Sequence, residues 1–150
     1  MEHFEFAGQR IGYDPEQARL AYAQIDLGHA ERCGCRECRN YIAARPHTYP
    51  HEILALFTRL GIDPLREAEV YHANREPDGR HFYGGWFHFI GSVEKGPTEV
   101  EGPAPTEVGP LSYYFAEGAL LPQPPFVGKP VARIEFSALV PWVLCEPPPE

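Results

Sequence analysis

The run HFYGGWFHFIGSV, residues 81–93, leaves this chain few ways to fold. In an extended strand successive side chains point to opposite sheet faces. Phe82, Trp86, His88 and Ile90 would then share one face, and His81, Tyr83, Phe87 and Phe89 the other. Both faces are apolar, so the strand needs cover on both sides and belongs in the middle of a sheet. Gly84-Gly85 predicts a bulge or tight bend within it. The aromatic residues beside those glycines either fill the core of a bent sheet or open an aromatic ligand cleft.

More strands are expected around this one: 68–73, 111–121 and 131–144, where Ala132, Ile134 and Phe136 alternate with Val131, Arg133 and Glu135. Twelve of the 17 prolines lie at or after Pro97, which disfavours helix in that half. Residues 94–110, rich in Pro, Gly and Glu, read as a mobile loop, and EPPPE (146–150) as a frayed tail. In the first half, residues 3–13 read as one short strand. Residues 18–28 are ambiguous, their second half leaning towards a strand. Helices are predicted from Cys35 to Ala44, closed by Pro46, and from Pro50 to a Gly61 cap. Asp63 is placed to cap a short turn. The expectation is a single α+β domain over 1–150, with two to three helices in the N-terminal half packed on a mainly antiparallel, twisted sheet.

Net charge is −8 with a pI near 5.3, which disfavours contact with phosphate backbones. The opening MEHFEFAGQR has no basic region followed by an apolar run, and no apolar stretch nears the roughly 18 residues of a membrane helix. A cytoplasmic chain with reduced thiols is expected, its partner a protein or small molecule rather than nucleic acid or membrane.

Three of the four cysteines fall in HAERCGCRECRNY, residues 29–41, among Arg32, Arg36 and Arg39. If a helix starts after Gly34, Cys35 and Cys38 stack on one face, and Cys33 can fold back towards them. Three thiolates from one turn suit a soft tetrahedral ion such as zinc, with a fourth ligand from elsewhere. His29 is the first candidate for that fourth ligand, followed by His51, His47 and Cys145. A second reading is thiol redox chemistry, with Cys35 attacking and Cys38 resolving at a helix start. The strand-led βαβ setting of such motifs is missing, and a third thiol competes. A third reading treats the cysteines as small apolar residues, with the arginines solvated or paired to Glu31 and Glu37. Arg39-Asn40 at the helix start could also hold an anion.

The phrases CGCRECRNY, LGIDPLREAEVYH, HFYGGWFHFIG and VARIEFSALVPWVL resemble a family of small bacterial proteins of unassigned function. That resemblance implies a bacterial, single-domain protein and carries no activity or ligand with it. His72, His81 and His88 could form a metal or acid–base site, but His81 and His88 face opposite ways on a regular strand, which favours structural roles. No Ser nucleophile elbow, phosphate loop, dinucleotide fingerprint or His-Glu-x-x-His helix is present. The expected function is therefore a non-catalytic binding or interaction domain with a candidate structural zinc site at Cys33, Cys35, Cys38 and His29.

Overall fold

A computed structural model of the chain describes residues 1–95 and 105–148. The fold is α+β. In chain order come β1 (Glu2–Phe6), β2 (Gln9–Tyr13), α1 (Pro15–Tyr22), α2 (His29–Cys33), α3 (Arg36–Ala44), α4 (His51–Leu60), β3 (Glu69–Arg75), β4 (His81–Lys95), β5 (Thr106–Val108), β6 (Leu111–Glu117) and β7 (Val131–Val140). All described strand pairs are antiparallel.

The aromatic run is central, as its two apolar faces require. β4 pairs with β7 along His81–Ile90 on one side. On its other side the first half pairs with β3 and the far end with β2. The strand order β1-β2-β4-β7-β6-β5, with β3 also on β4, makes one seven-stranded sheet. Every residue from Tyr83 to Ile90 is buried. Phe87 packs on Phe57 of α4 and on Phe136 of β7. The sheet curls far enough for Phe4 and Phe6 of β1 to meet Phe115 of β6.

Gly84-Gly85 does not form a bulge, because the β4–β7 register runs unbroken through both. The irregularity lies in the partner strand, between His72 and Asn74. The glycines permit close approach instead. A Cβ on Gly85 would stand 2.3 Å from the Glu69 carbonyl oxygen, a backbone atom that cannot swing aside. The neighbouring aromatics accordingly fill the core: Tyr83 is fully buried, and Trp86 donates its indole N–H to the Leu120 carbonyl.

Several expectations are corrected. Residues 3–13 form a hairpin, not one strand, because Ala7 and Gly8 both take positive φ (51° and 79°) and reverse the chain. Alanine at that turn hides it from a sequence reading. This N-terminal hairpin joins the same sheet. Residues 18–28 contribute the end of α1, whose first turn is capped by Asp14 accepting from the Gln17 N–H. No strand follows, and the Ile25 carbonyl is satisfied by the Arg66 side chain instead of a ladder partner. The described residues form four α-helices, with α2 the unforeseen one. Within 94–110, Glu94 and Lys95 end β4 and Thr106–Val108 is β5, while 96–104 lie outside the described residues.

His88 is fully buried, its Nε2 accepting from the Leu120 N–H. Burial, aided by Arg133, holds its pKa down to about 4. An unfolded histidine titrates near 6.5, so the folded chain binds fewer protons between those values. Stability is therefore expected to fall as pH drops through that window, by on the order of 2 kcal/mol at pH 5 from this group. A melting-temperature series in pH checks this: His88→Gln should flatten the slope, and equal slopes would contradict the assignment. Gly85→Ala should cost about 1–3 kcal/mol by overpacking. Gly84→Ala should cost less, since it meets only the half-exposed Tyr71 ring. Denaturant titration of both variants tests the order.

Candidate metal centre

Each end of the cysteine segment is anchored separately. At α2 the anchor is the 65–70 segment. The His29 N–H donates to the Glu67 carbonyl at 3.1 Å, and the Ala30 N–H to the fully buried Glu67 carboxylate at 2.8 Å. Glu67 thus supplies the cap that Gly28 cannot. Gly28 is also close-packed, since a Cβ there would stand 2.6 Å from the Leu65 carbonyl. The other Glu67 oxygen faces buried Arg45 at 3.5 Å, and burial pushes the Glu67 pKa up.

α2 ends at Gly34, whose φ of 68° places it in the left-handed region and turns the chain into α3. Cys35 is the N-cap of α3, its sulfur accepting the Cys38 N–H at 3.3 Å. A serine or aspartate usually does this work. The Cys35 backbone amide also favours the thiolate form of Cys33. α3 is held on the sheet by buried Asn40 and Tyr41, and Tyr83 donates its hydroxyl to the Glu37 carbonyl at 2.7 Å.

The outcome is a trio. The sulfurs of Cys33, Cys35 and Cys38 all lie within 4.8 Å of one another, the first two residues exposed and the third buried. None of the four cysteines is in a disulfide. Three sulfurs that close can share one soft cation. Backbone hydrogen bonds lower the Cys33 thiol below its usual range. Burial raises Cys35, and raises Cys38 further. Cys35, read from sequence as the attacking thiol, is therefore not the activated one. The Glu37 carboxylate beside it also works against a second thiolate.

His29 does not belong to the trio. Its Nδ1 accepts the Val70 N–H at 3.2 Å, and its Nε2 stands 3.0 Å from a Glu69 carboxylate oxygen, so both ring nitrogens are engaged. His47 and His51 are exposed at the turn and helix beyond α3. The strand histidines form no cluster with a third ligand among the described residues. His72 Nε2 and His81 Nδ1 share a hydrogen bond at 2.8 Å, and His88 is bonded elsewhere.

A feature with no sequence signal is the path of the chain after β7. Asn40 grips it twice, donating to the Pro141 carbonyl at 3.1 Å and accepting the Val143 N–H at 2.7 Å. Arg39 binds the Glu146 carboxylate and donates its Nε–H to the Gly34 carbonyl. Arg36 donates to the Pro147 carbonyl at 3.1 Å. Residues 146–148, expected as frayed tail, include two of these anchor points; 149–150 lie outside the described residues. The anion expected at Arg39-Asn40 is the chain's own Glu146, held by Arg39.

A cleft of about 580 Å³ lies beside α2, lined by Ile25, Leu27, Arg32, Gln123 and Pro124 among others. Arg32 is its one residue from the cysteine segment. Among the described residues no helix is long and apolar enough to cross a membrane. No protein-family model, curated protein or solved structure matches this chain.

Metal-free protein treated with limiting iodoacetamide near neutral pH should be alkylated at Cys33 several-fold faster than at Cys38, because reaction follows thiolate fraction and exposure. Peptide mass mapping reads the order, and equal rates would contradict the assigned environments.

Proposed function

We propose that this chain is a non-catalytic binding or interaction domain whose Cys33-Gly34-Cys35 turn and α3 start hold a structural zinc ion through Cys33, Cys35 and Cys38. The observation that carries it is the convergence of three sulfurs within 4.8 Å on a turn where the Cys38 N–H donates to the Cys35 sulfur. Amide donors of this kind stabilise negative charge on sulfur, which metal ligation requires. The ion would tie α2, a five-residue helix whose buried residue is Ala30, to α3.

A cytoplasmic setting suits four unpaired thiols, since a reducing compartment keeps them available. The acidic balance favours a protein or small-molecule partner over nucleic acid. The resemblance to small bacterial proteins of unassigned function fits this reading and adds no activity to it.

Protein purified without added metal should carry about one zinc per chain by elemental analysis. A strong chelator should lower its melting temperature. Cys35→Ser should weaken zinc binding at least about tenfold, roughly 1.4 kcal/mol or more. A chain that holds no zinc when supplied with it, and whose stability is indifferent to chelator and to Cys35→Ser, would defeat the proposal.

A further inference from the structure

We propose that Cys145 is the fourth sulfur ligand of this centre, and that metal binding latches the strap after β7, residues 141–148, onto the cysteine turn. This rests on the zinc reading above and completes it. A structural zinc site is almost always four-coordinate, and the trio supplies three donors. His29, the nearest histidine in sequence, has both nitrogens committed to the β3 segment.

One guanidinium brings the strap to the site. Arg39 holds the Gly34 carbonyl with its Nε and the Glu146 carboxylate with its Nη1. Gly34 is the residue between Cys33 and Cys35, and Glu146 is the neighbour of Cys145. The backbone on either side of Cys145 is tethered to α3 as well, at Val143 by Asn40 and at Pro147 by the exposed Arg36. Trp142 closes the strap on itself through its indole N–H to the Glu146 carbonyl. Cys145 is an exposed free thiol on this tethered segment. Its sulfur stands outside the 4.8 Å circle of the other three, so coordination requires the strap to shift towards the turn.

Charge favours the closed form. Zinc with four thiolates carries two net negative charges, the thiol protons having gone to solvent. Arg36 and Arg39 flank the strap, and the N-terminus of α3 points the positive end of its dipole the same way. All four cysteines of the chain would then serve one ion, and residues separated by most of the sequence would be joined through it.

The test uses full-length protein loaded with cobalt(II) and, separately, with zinc. Thiolate-to-cobalt charge-transfer absorption grows with the number of sulfur ligands. Cys145→Ala should therefore lose about a quarter of it while keeping three-sulfur absorption. In the zinc-loaded wild type all four cysteines should resist alkylation; in the chelated protein Cys145 should react freely. Far-UV circular dichroism checks that the exposed-site variant is folded. Unchanged cobalt absorption in Cys145→Ala, or free alkylation of Cys145 while the other three are protected, overturns the latch and leaves the three-cysteine zinc site standing. No charge-transfer band in the wild type and no protected thiol overturns both.

Discussion

A single left-handed residue, Gly34, is what lets the three sulfurs of the cysteine segment meet. The helical turn that begins at His29 must stop and restart within two residues for three sulfurs to meet. The positive φ at Gly34 is what allows it. A residue with a Cβ meets no steric neighbour there, so the constraint is backbone conformation alone. Once the chain has turned, Cys35 falls at the N-cap of α3 and its sulfur takes the amide that would otherwise be unpaired. Capping the helix and placing the Cys35 sulfur are then one interaction.

The rest of the fold holds the two sides of that turn steady. Glu67 is the main tether on the α2 side. It is a fully buried carboxylate that accepts from the first turn of α2 and faces a buried arginine. On the α3 side the tethers are aromatic and amide contacts to the sheet, with Tyr41 packing on Tyr83 and bonded to the hydroxyl of Tyr49. Asn40 matters on both sides of its helix, because it also fixes the chain leaving β7. Local instability of a five-residue helix is thus overcome by contacts made far away in sequence.

Much of this was legible in the residues. The two apolar faces of 81–93 require a central strand, and β4 is one. The apolar spacing of Ile53, Phe57 and Leu60 with Gly61 behind it marks α4, and those three residues are its buried face. The cysteine spacing marks a cluster, and the sulfurs do converge. Less legible were features that depend on backbone geometry without a telling residue: the Ala7-Gly8 reversal, the short helix α2, and the plain close approach at Gly85. His29 was misplaced because proximity in sequence stood in for direction; its ring turns away to β3.

By itself the sequence determined the helices α3 and α4, the buried central strand, and the presence of three thiols close together in the chain. These are local matters, governed by side-chain period and by the conformations each residue tolerates. Tertiary structure alone decided which donors surround those thiols. It turned His29 away, set the buried Glu67 under α2, and carried residues 141–148 back across α3. Those outcomes depend on contacts between residues as much as 111 positions apart. Only the packed sheet fixes where such distant residues meet.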